Sequence, residues 1–269
     1  MFRFEPPRHD PATFTDADLG AVGGLVQSLR WFASRASLLL YSYGMHQTLE
    51  TELLRKASSN PLPPDALYML RRYFRDSVVS ELRALHDRDN RSLGSRQIFE
   101  RLGDQEARDG LHKYVRDYPH GRVMEDVPTR DAYLDYVRRY SGLMSAPLKA
   151  STIKDHVLSV KTELVRRMAN KAIAHSTLDD YTLGGEDLGD VVLATLAIAC
   201  AVEAAVGDAA ISNDFAAIES SGYRAAGLLL NVEVDLTPHT INMIRGFLPG
   251  WVTFGIEFPN YPSDFGRRQ

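Results

Sequence analysis

Five residues within one short stretch of the chain could together act on a phosphate group. They are Arg166, Arg167, Asn170, Lys171 and His175. On a helix, Lys171 and His175 are four residues apart and share one face, and Arg167 lies roughly two turns before His175. A base and cations on one helix face can hold a phosphodiester and move its protons. The alternative interpretation is a basic helix C-terminus that interacts favourably with the helix dipole.

Each of these residues has a candidate role in RNA cleavage without a metal. That reaction needs a base for the 2′-hydroxyl, an acid for the leaving 5′-oxygen and a cation for the phosphorane. His175 is the candidate for proton transfer, because an imidazole titrates near neutral pH. Lys171 and Arg167 complete the candidate catalytic group as phosphate-holding cations. Asn170 and Arg166 are the candidate substrate-binding residues, although Asn170 could instead fix the end of the helix.

A second polar segment, residues 81–93, ends one predicted helix in alternating charges and leads into a short one. Its composition is typical of a solvated corner between two helices. In the alternative interpretation, Asp87 or His86 faces the helix that carries His175 and orients its lysine or histidine. A catalytic base normally needs such a partner. Asp87 is the candidate orienting residue.

Most common enzyme signatures are absent from the sequence. It contains no Walker-type loop, no G-x-G-x-x-G after a strand and no G-x-S-x-G. The eight histidines include no H-x₃-H pair, and the single cysteine, Cys200, excludes a cysteine-based metal site. We therefore predict neither a metal nor another cofactor.

The overall charge and the apolar segments bear on whether the protein binds nucleic acid or a membrane. A formal net charge of -4 attracts neither nucleic acid nor an anionic membrane, so nucleic-acid binding would need a local basic patch. The first residues lack the apolar core of a signal peptide. The most apolar run, residues 191–206, is too short for a typical membrane span and suits a buried helix. We expect a cytoplasmic protein with no membrane partner.

Apolar residues at three- and four-residue steps predict a succession of helices over most of the chain. Pro-rich breaks at 58–64 and 145–147 separate some of them. The predicted helices span 16–58, 64–86, 93–102 with Ser92 as its cap, 104–118, 131–143, 151–175 and 186–212.

The character of the sequence changes after residue 214. Residues 228–234 and 251–258 are rich in β-branched and aromatic side chains and predict strands, with a short helix at 239–247 between them. The predicted fold is mainly α. We expect an up-and-down helical bundle over residues 1–214 and a small strand-containing C-terminal extension, residues 215–269, packed on it.

The two polar segments together resemble the HEPN superfamily, and more narrowly its abortive-infection U branch. The resemblance rests on L-H-D-R-D-N-R-S-L at 85–93 and A-N-K-A-I-A-H-S at 169–176, and it covers roughly residues 25–211. It implies an up-and-down helical bundle. Many HEPN proteins are metal-independent ribonucleases that act as homodimers in phage defence, toxin–antitoxin systems or RNA processing.

The family motif matches this chain at two positions and departs from it at a third. In HEPN ribonucleases an arginine and a histidine, four to six residues apart, meet their symmetry mates in a dimer cleft, and a polar residue often follows the arginine. His175 falls on the histidine and Asn170 on the polar residue. The arginine corresponds to Ala169, and the nearest one, Arg167, lies eight positions before His175. Lys171 is better placed but lacks the bidentate guanidinium.

Three hypotheses stay open from the sequence. The first is a HEPN-type ribonuclease of phage-defence or toxin–antitoxin type, a homodimer with RNA as substrate and an antitoxin protein as a candidate partner. The second is a non-catalytic HEPN bundle that binds RNA, nucleotide or a protein through the same cleft. In the third, the motif only closes the bundle. Finding Ala169 in place of arginine favours the second and the third.

Overall fold

The computed structural model describes residues 16–55, 63–89, 92–117, 127–145, 157–170, 185–206, 215–231, 233–237 and 239–244. Within these ranges the chain is almost entirely helical and contains no strand. The predicted mainly α fold is confirmed for this part of the chain, which is in keeping with a helical bundle. The helices are α1 (Asp16–Arg55), α2 (Pro64–Leu85), α3 (Ser95–Arg101), α4 (Gln105–Asp117), α5 (Val127–Ser145), α6 (Val157–Met168), α7 (Gly185–Val206), α8 (Phe215–Leu230) and α9 (His239–Ile244).

The 40-residue helix α1 is the central element and contacts α2, α3, α4, α7 and α8. Its buried apolar side chains recur at three- and four-residue steps, as in Leu25, Leu29 and Phe32, which are fully buried. Its most extensive contact is with α8. The two helices approach closely because α8 carries a glycine there: a Cβ on Gly222 would lie only 2.5 Å from the carbonyl oxygen of Tyr41.

Helix α7 is the core helix of the bundle. Every side chain from Val191 to Val202 is buried, so α7 is covered on all sides by its neighbours. By length and apolar composition α7 could cross a membrane, but 78% of its apolar window is buried inside the protein. Contact with α1, α5 and α6 accounts for this composition. Burial raises the pKa of the Cys200 thiol, in agreement with a packing role for this residue.

Two helix starts differ from the sequence prediction. Helix α3 begins at Ser95 after Gly94, so Ser92 is not its cap. Helix α5 begins at Val127 rather than at 131, because Pro128 is tolerated in the first turn, where a backbone N–H has no partner within the helix. The predicted outer parts of α6, residues 151–156 and 171–175, lie outside the described residues.

The strand predicted at 228–234 is wrong for every described residue of this segment. Residues 228–230 form the last turn of α8, and residues 233–237 have no regular secondary structure. The leucines at 228–230 suit either structure, and packing of Leu230 against Leu49 and Leu67 favours the helix. Asn231, with φ of 52°, ends α8. The strand predicted at 251–258 lies outside the described residues, and the domain boundary at 214 stays a prediction.

Candidate functional site

The structure brings the polar segment after α2 against α6. Arg88, two residues after the C-cap of α2, places its Nη2 at 2.7 Å from Oε2 of Glu163 in the middle of α6. The side chains of Arg88 and Glu163 are 36% and 15% exposed, so this ion pair lies at the edge of the bundle. The two segments singled out in the sequence are therefore neighbours in the fold.

Glu163 receives two further guanidinium groups from its own helix. The Nε of Arg167 lies 3.2 Å from Oε1 of Glu163, and the Nε of Arg166 lies 3.8 Å from Oε2. Residues three and four positions apart are neighbours on a helix surface, which explains why both arginines reach the carboxylate. One carboxylate is thus shared by three arginines. We call Arg88, Glu163, Arg166 and Arg167 the arginine cluster.

Arg166 is the buried member of the cluster. Its side chain is 9% exposed, and its Nη2 donates a hydrogen bond to the carbonyl oxygen of Met144 near the end of α5, at 2.8 Å. Its Nη1 is buried and has no hydrogen-bond partner among the described residues. Burial lowers the Arg166 pKa to about 10, with the positive charge of Arg88 adding to the effect and Glu163 and Asp87 opposing it. Arg166 thus links α6 to α5, and its role in substrate binding stays a prediction.

Arg167 and Asn170 lie on the exposed side of α6. The Arg167 side chain is 53% exposed, and Asn170 is also exposed. After Met168 the helix widens into a π turn at Ala169–Asn170, a local form that is frequent at functional sites. These two polar residues can meet a ligand from solvent, as their predicted roles require. Lys171 and His175 lie outside the described residues, so their roles stay predictions.

Ala169 is a core residue, only 2% exposed. Its side chain lies on the opposite side of α6 from Arg167. In this structure a residue at 169 therefore contacts the bundle interior.

His86, one of the two orienting candidates, is a buried core residue. It is fully buried, with Nδ1 at 2.7 Å from Oγ of Ser95 and Nε2 at 2.7 Å from Oγ1 of Thr195. The Thr195 hydroxyl donates its proton to the carbonyl oxygen of Val191, so it accepts from Nε2–H, and Nδ1 accepts from Ser95. Burial lowers the His86 pKa to about 3, with a smaller contribution from Arg166. Both ring nitrogens are used, and His86 cannot orient a residue of α6.

Asp87 stays the candidate orienting residue. It is partly exposed, and its Oδ1 accepts the backbone N–H of Asp89 at 3.2 Å. Its negative charge acts on Arg166, which places it beside the arginine cluster. The partners that it would orient, Lys171 and His175, are outside the described residues.

Sequence reasoning missed a histidine–carboxylate pair between α4 and α5. The Nε2 of His112 lies 2.9 Å from Oδ1 of Asp131, and Nη1 of Arg130 lies 3.4 Å from Nδ1 of His112. Nineteen positions separate His112 from Asp131, so no local motif could have indicated the pair. Both nitrogens of His112 are engaged, which favours a structural link.

The described residues include no group of three or more metal-ligating side chains.

Comparison with protein-family models, with curated proteins and with solved structures found no match to this chain. The function must therefore be inferred from the residues themselves, and the arginine cluster with the adjoining end of α6 is the best candidate site.

Proposed function

We propose that this protein is a HEPN-like RNA-binding protein of phage-defence or toxin–antitoxin type that acts in the cytoplasm. In this proposal the RNA backbone is held at the end of α6. The observation that carries it is that Arg88, Arg166 and Arg167 all contact the carboxylate of Glu163. Arg166 and Arg167 come shortly before Asn170 and the segment that contains Lys171 and His175.

The chemistry of the cluster suits a phosphate group. Guanidinium groups bind phosphate oxygens through paired, charge-assisted hydrogen bonds. Arg167 is about half exposed and is the member that a phosphate from solvent can reach first. A protein with a net charge of -4 needs such a local concentration of cations to bind RNA. His175, with Lys171 and Arg167, would then cleave the bound phosphodiester without a metal.

The exposed side of α6 also supports the proposal of a homodimer. Val157 and Val160 are 61% and 42% exposed, and Val160, two turns before Arg167, lies on the same side of the helix as that arginine. Exposed apolar side chains at helical spacing are typical of a surface that another helix covers. A second copy placed about a two-fold axis here would bring two Arg167 side chains towards one groove.

The second candidate function is a non-catalytic HEPN bundle that acts as an interaction or structural module. The burial of Ala169 favours it, because the family arginine has no counterpart at that position. This candidate predicts that RNA, nucleotide or a protein partner such as an antitoxin binds without being cleaved.

The test is binding and cleavage of a labelled single-stranded RNA in the presence of a metal chelator. Arg167→Ala should weaken RNA binding by about tenfold. It should also reduce the slope of the logarithm of the binding constant against the logarithm of salt concentration by the amount expected for about one phosphate contact. Arg72→Ala is a matched control, because Arg72 is also a half-exposed helix arginine, 47% exposed, with an acidic partner four positions away. It should leave RNA binding unchanged.

The outcomes separate the two candidate functions. Cleavage by the wild-type protein that is lost in His175→Ala supports the ribonuclease. Binding without cleavage supports the non-catalytic module. Absence of RNA binding, or equal losses in Arg167→Ala and Arg72→Ala, would refute the proposed site. Survival of bacteria during phage infection, with wild-type protein against His175→Ala, tests the defence role.

A further inference from the structure

Glu163 contacts the guanidinium groups to which a phosphate would bind under the proposed function. Its two carboxylate oxygens face the guanidinium groups of Arg88 and Arg167 at 2.7 and 3.2 Å. We propose that Glu163 is an internal competitor for these arginines, and that the phosphate of an RNA ligand displaces it. This inference rests on the proposed function, because it concerns the same arginines.

One donor of the arginine cluster stays without an acceptor among the described residues even with Glu163 in place. Three guanidinium groups share the Glu163 carboxylate, with Asp87 as the further acidic neighbour of Arg166. The Nη1 of Arg166 is buried and makes no hydrogen bond with any described residue. A phosphate diester offers more acceptor sites in the geometry that guanidinium groups prefer. A phosphate can therefore offer an acceptor to the Nη1 of Arg166, which the carboxylate does not reach.

The exposure of the side chains shows how displacement can proceed. Arg167 is 53% exposed, Arg88 36% and Glu163 15%. The contact between Arg167 and Glu163 lies nearest to solvent, and an exposed ion pair of this kind contributes little to stability. Arg167 can exchange the carboxylate for a phosphate at small cost, after which Glu163 and the phosphate repel each other.

The alternative role for Glu163 is purely structural. If the carboxylate only fastens the segment of Arg88 onto α6, its loss disorders the site and weakens RNA binding. If it competes with phosphate, removal of its charge strengthens binding. The two roles thus predict effects of opposite sign.

The experiment compares Glu163→Gln, Glu163→Asp and wild type in titrations with single-stranded RNA and with inorganic phosphate. Glu163→Gln keeps the shape and removes the charge, whereas Glu163→Asp keeps the charge. We expect Glu163→Gln to bind RNA about fivefold tighter or more and Glu163→Asp to show no such gain. Glu50→Gln is the matched control, because Glu50 also links two helices through an arginine, Arg71, at 2.6 Å.

Tighter RNA binding by Glu163→Gln alone supports the inference. Unchanged or weaker RNA binding by Glu163→Gln, with RNA bound by the wild type, overturns the inference and leaves the proposed function standing. An equal gain in Glu50→Gln also overturns it, because the effect would then follow net charge. If no form binds RNA, the proposed function fails, and the phosphate titration alone decides whether Glu163 competes for the arginines. Thermal unfolding of each variant checks that the fold is intact.

Discussion

Buried histidines should make this fold sensitive to mild acid. His86 is fully buried, and burial lowers its pKa from 6.5 to about 3. A group with a depressed pKa in the folded state is neutral there but takes up a proton in the unfolded chain once the pH falls below 6.5. The stability that its neutral form contributes is complete above this pH. It is lost progressively as the pH falls from 6.5 to about 3.

The size of the effect follows from the pKa difference. A difference of about 3.5 units corresponds to a total loss of about 5 kcal/mol in the free energy of unfolding for His86. At about pH 5 the loss has reached about 2 kcal/mol. His46 is 4% exposed, and burial lowers its pKa to about 4, so it adds a similar loss at about pH 5. The two together amount to about 4 kcal/mol, a large part of the stability of an ordinary domain.

The assay is denaturant unfolding at about pH 7.5 and about pH 5 for wild type, His86→Gln and His46→Gln. Each substitution should reduce the difference between the two pH values by about 2 kcal/mol, whatever it does to absolute stability. His239→Gln is the control, since the His239 side chain is 64% exposed. If the pH difference in the wild type is below about 1 kcal/mol, or is unchanged in His86→Gln, the reasoning from burial is refuted.

Three further predictions concern the fold and its surfaces. Ala169→Arg should lower the free energy of unfolding by about 3 kcal/mol or more without increasing RNA cleavage above that of the wild type, because the guanidinium would enter the core; thermal unfolding and the cleavage assay check this. Gly222→Ala should cost about 1–3 kcal/mol in denaturant unfolding, because its Cβ meets the backbone of α1, and an unchanged midpoint would contradict the close approach. Val160→Asp should shift a homodimer to monomer in analytical ultracentrifugation with the helical circular dichroism retained, whereas a wild-type monomer would contradict the dimer proposal.

The helices were predictable because their signal is local. Residues such as Leu25, Leu29 and Phe32 repeat at the helical period, and Pro-rich segments separate one helix from the next. The end of α8 was not predictable in this way, because three consecutive leucines fit a helix or a strand equally well. Their state depends on contacts of Leu230 with α1 and α2, which are distant in sequence.

The site was predictable only in part. Sequence identified both segments, and the structure brings Arg88 and Arg167 to the same carboxylate. It did not identify Glu163, because a glutamate on a charged helix has no distinguishing local pattern. His86 was misjudged for the same reason: it stands among charged residues, and its partner Thr195 is 109 positions away.

The hydrogen bond between His86 and Thr195 also affects the rotation and register of α7 within the bundle. A helix that is apolar on every side has some freedom in its rotation and register, because an apolar core loses a unique arrangement before it loses stability. Thr195 removes this freedom, since other registers leave the Nε2–H of His86 buried without an acceptor, at a cost of about 1–3 kcal/mol. Because α5 and α6 both pack on α7, this hydroxyl contributes, together with the ion pairs of Lys161 with Asp187 and Asp190, to the frame on which the arginine cluster is assembled. Thr195→Val should therefore yield a helical protein with several core arrangements, seen as broadened side-chain signals in nuclear magnetic resonance.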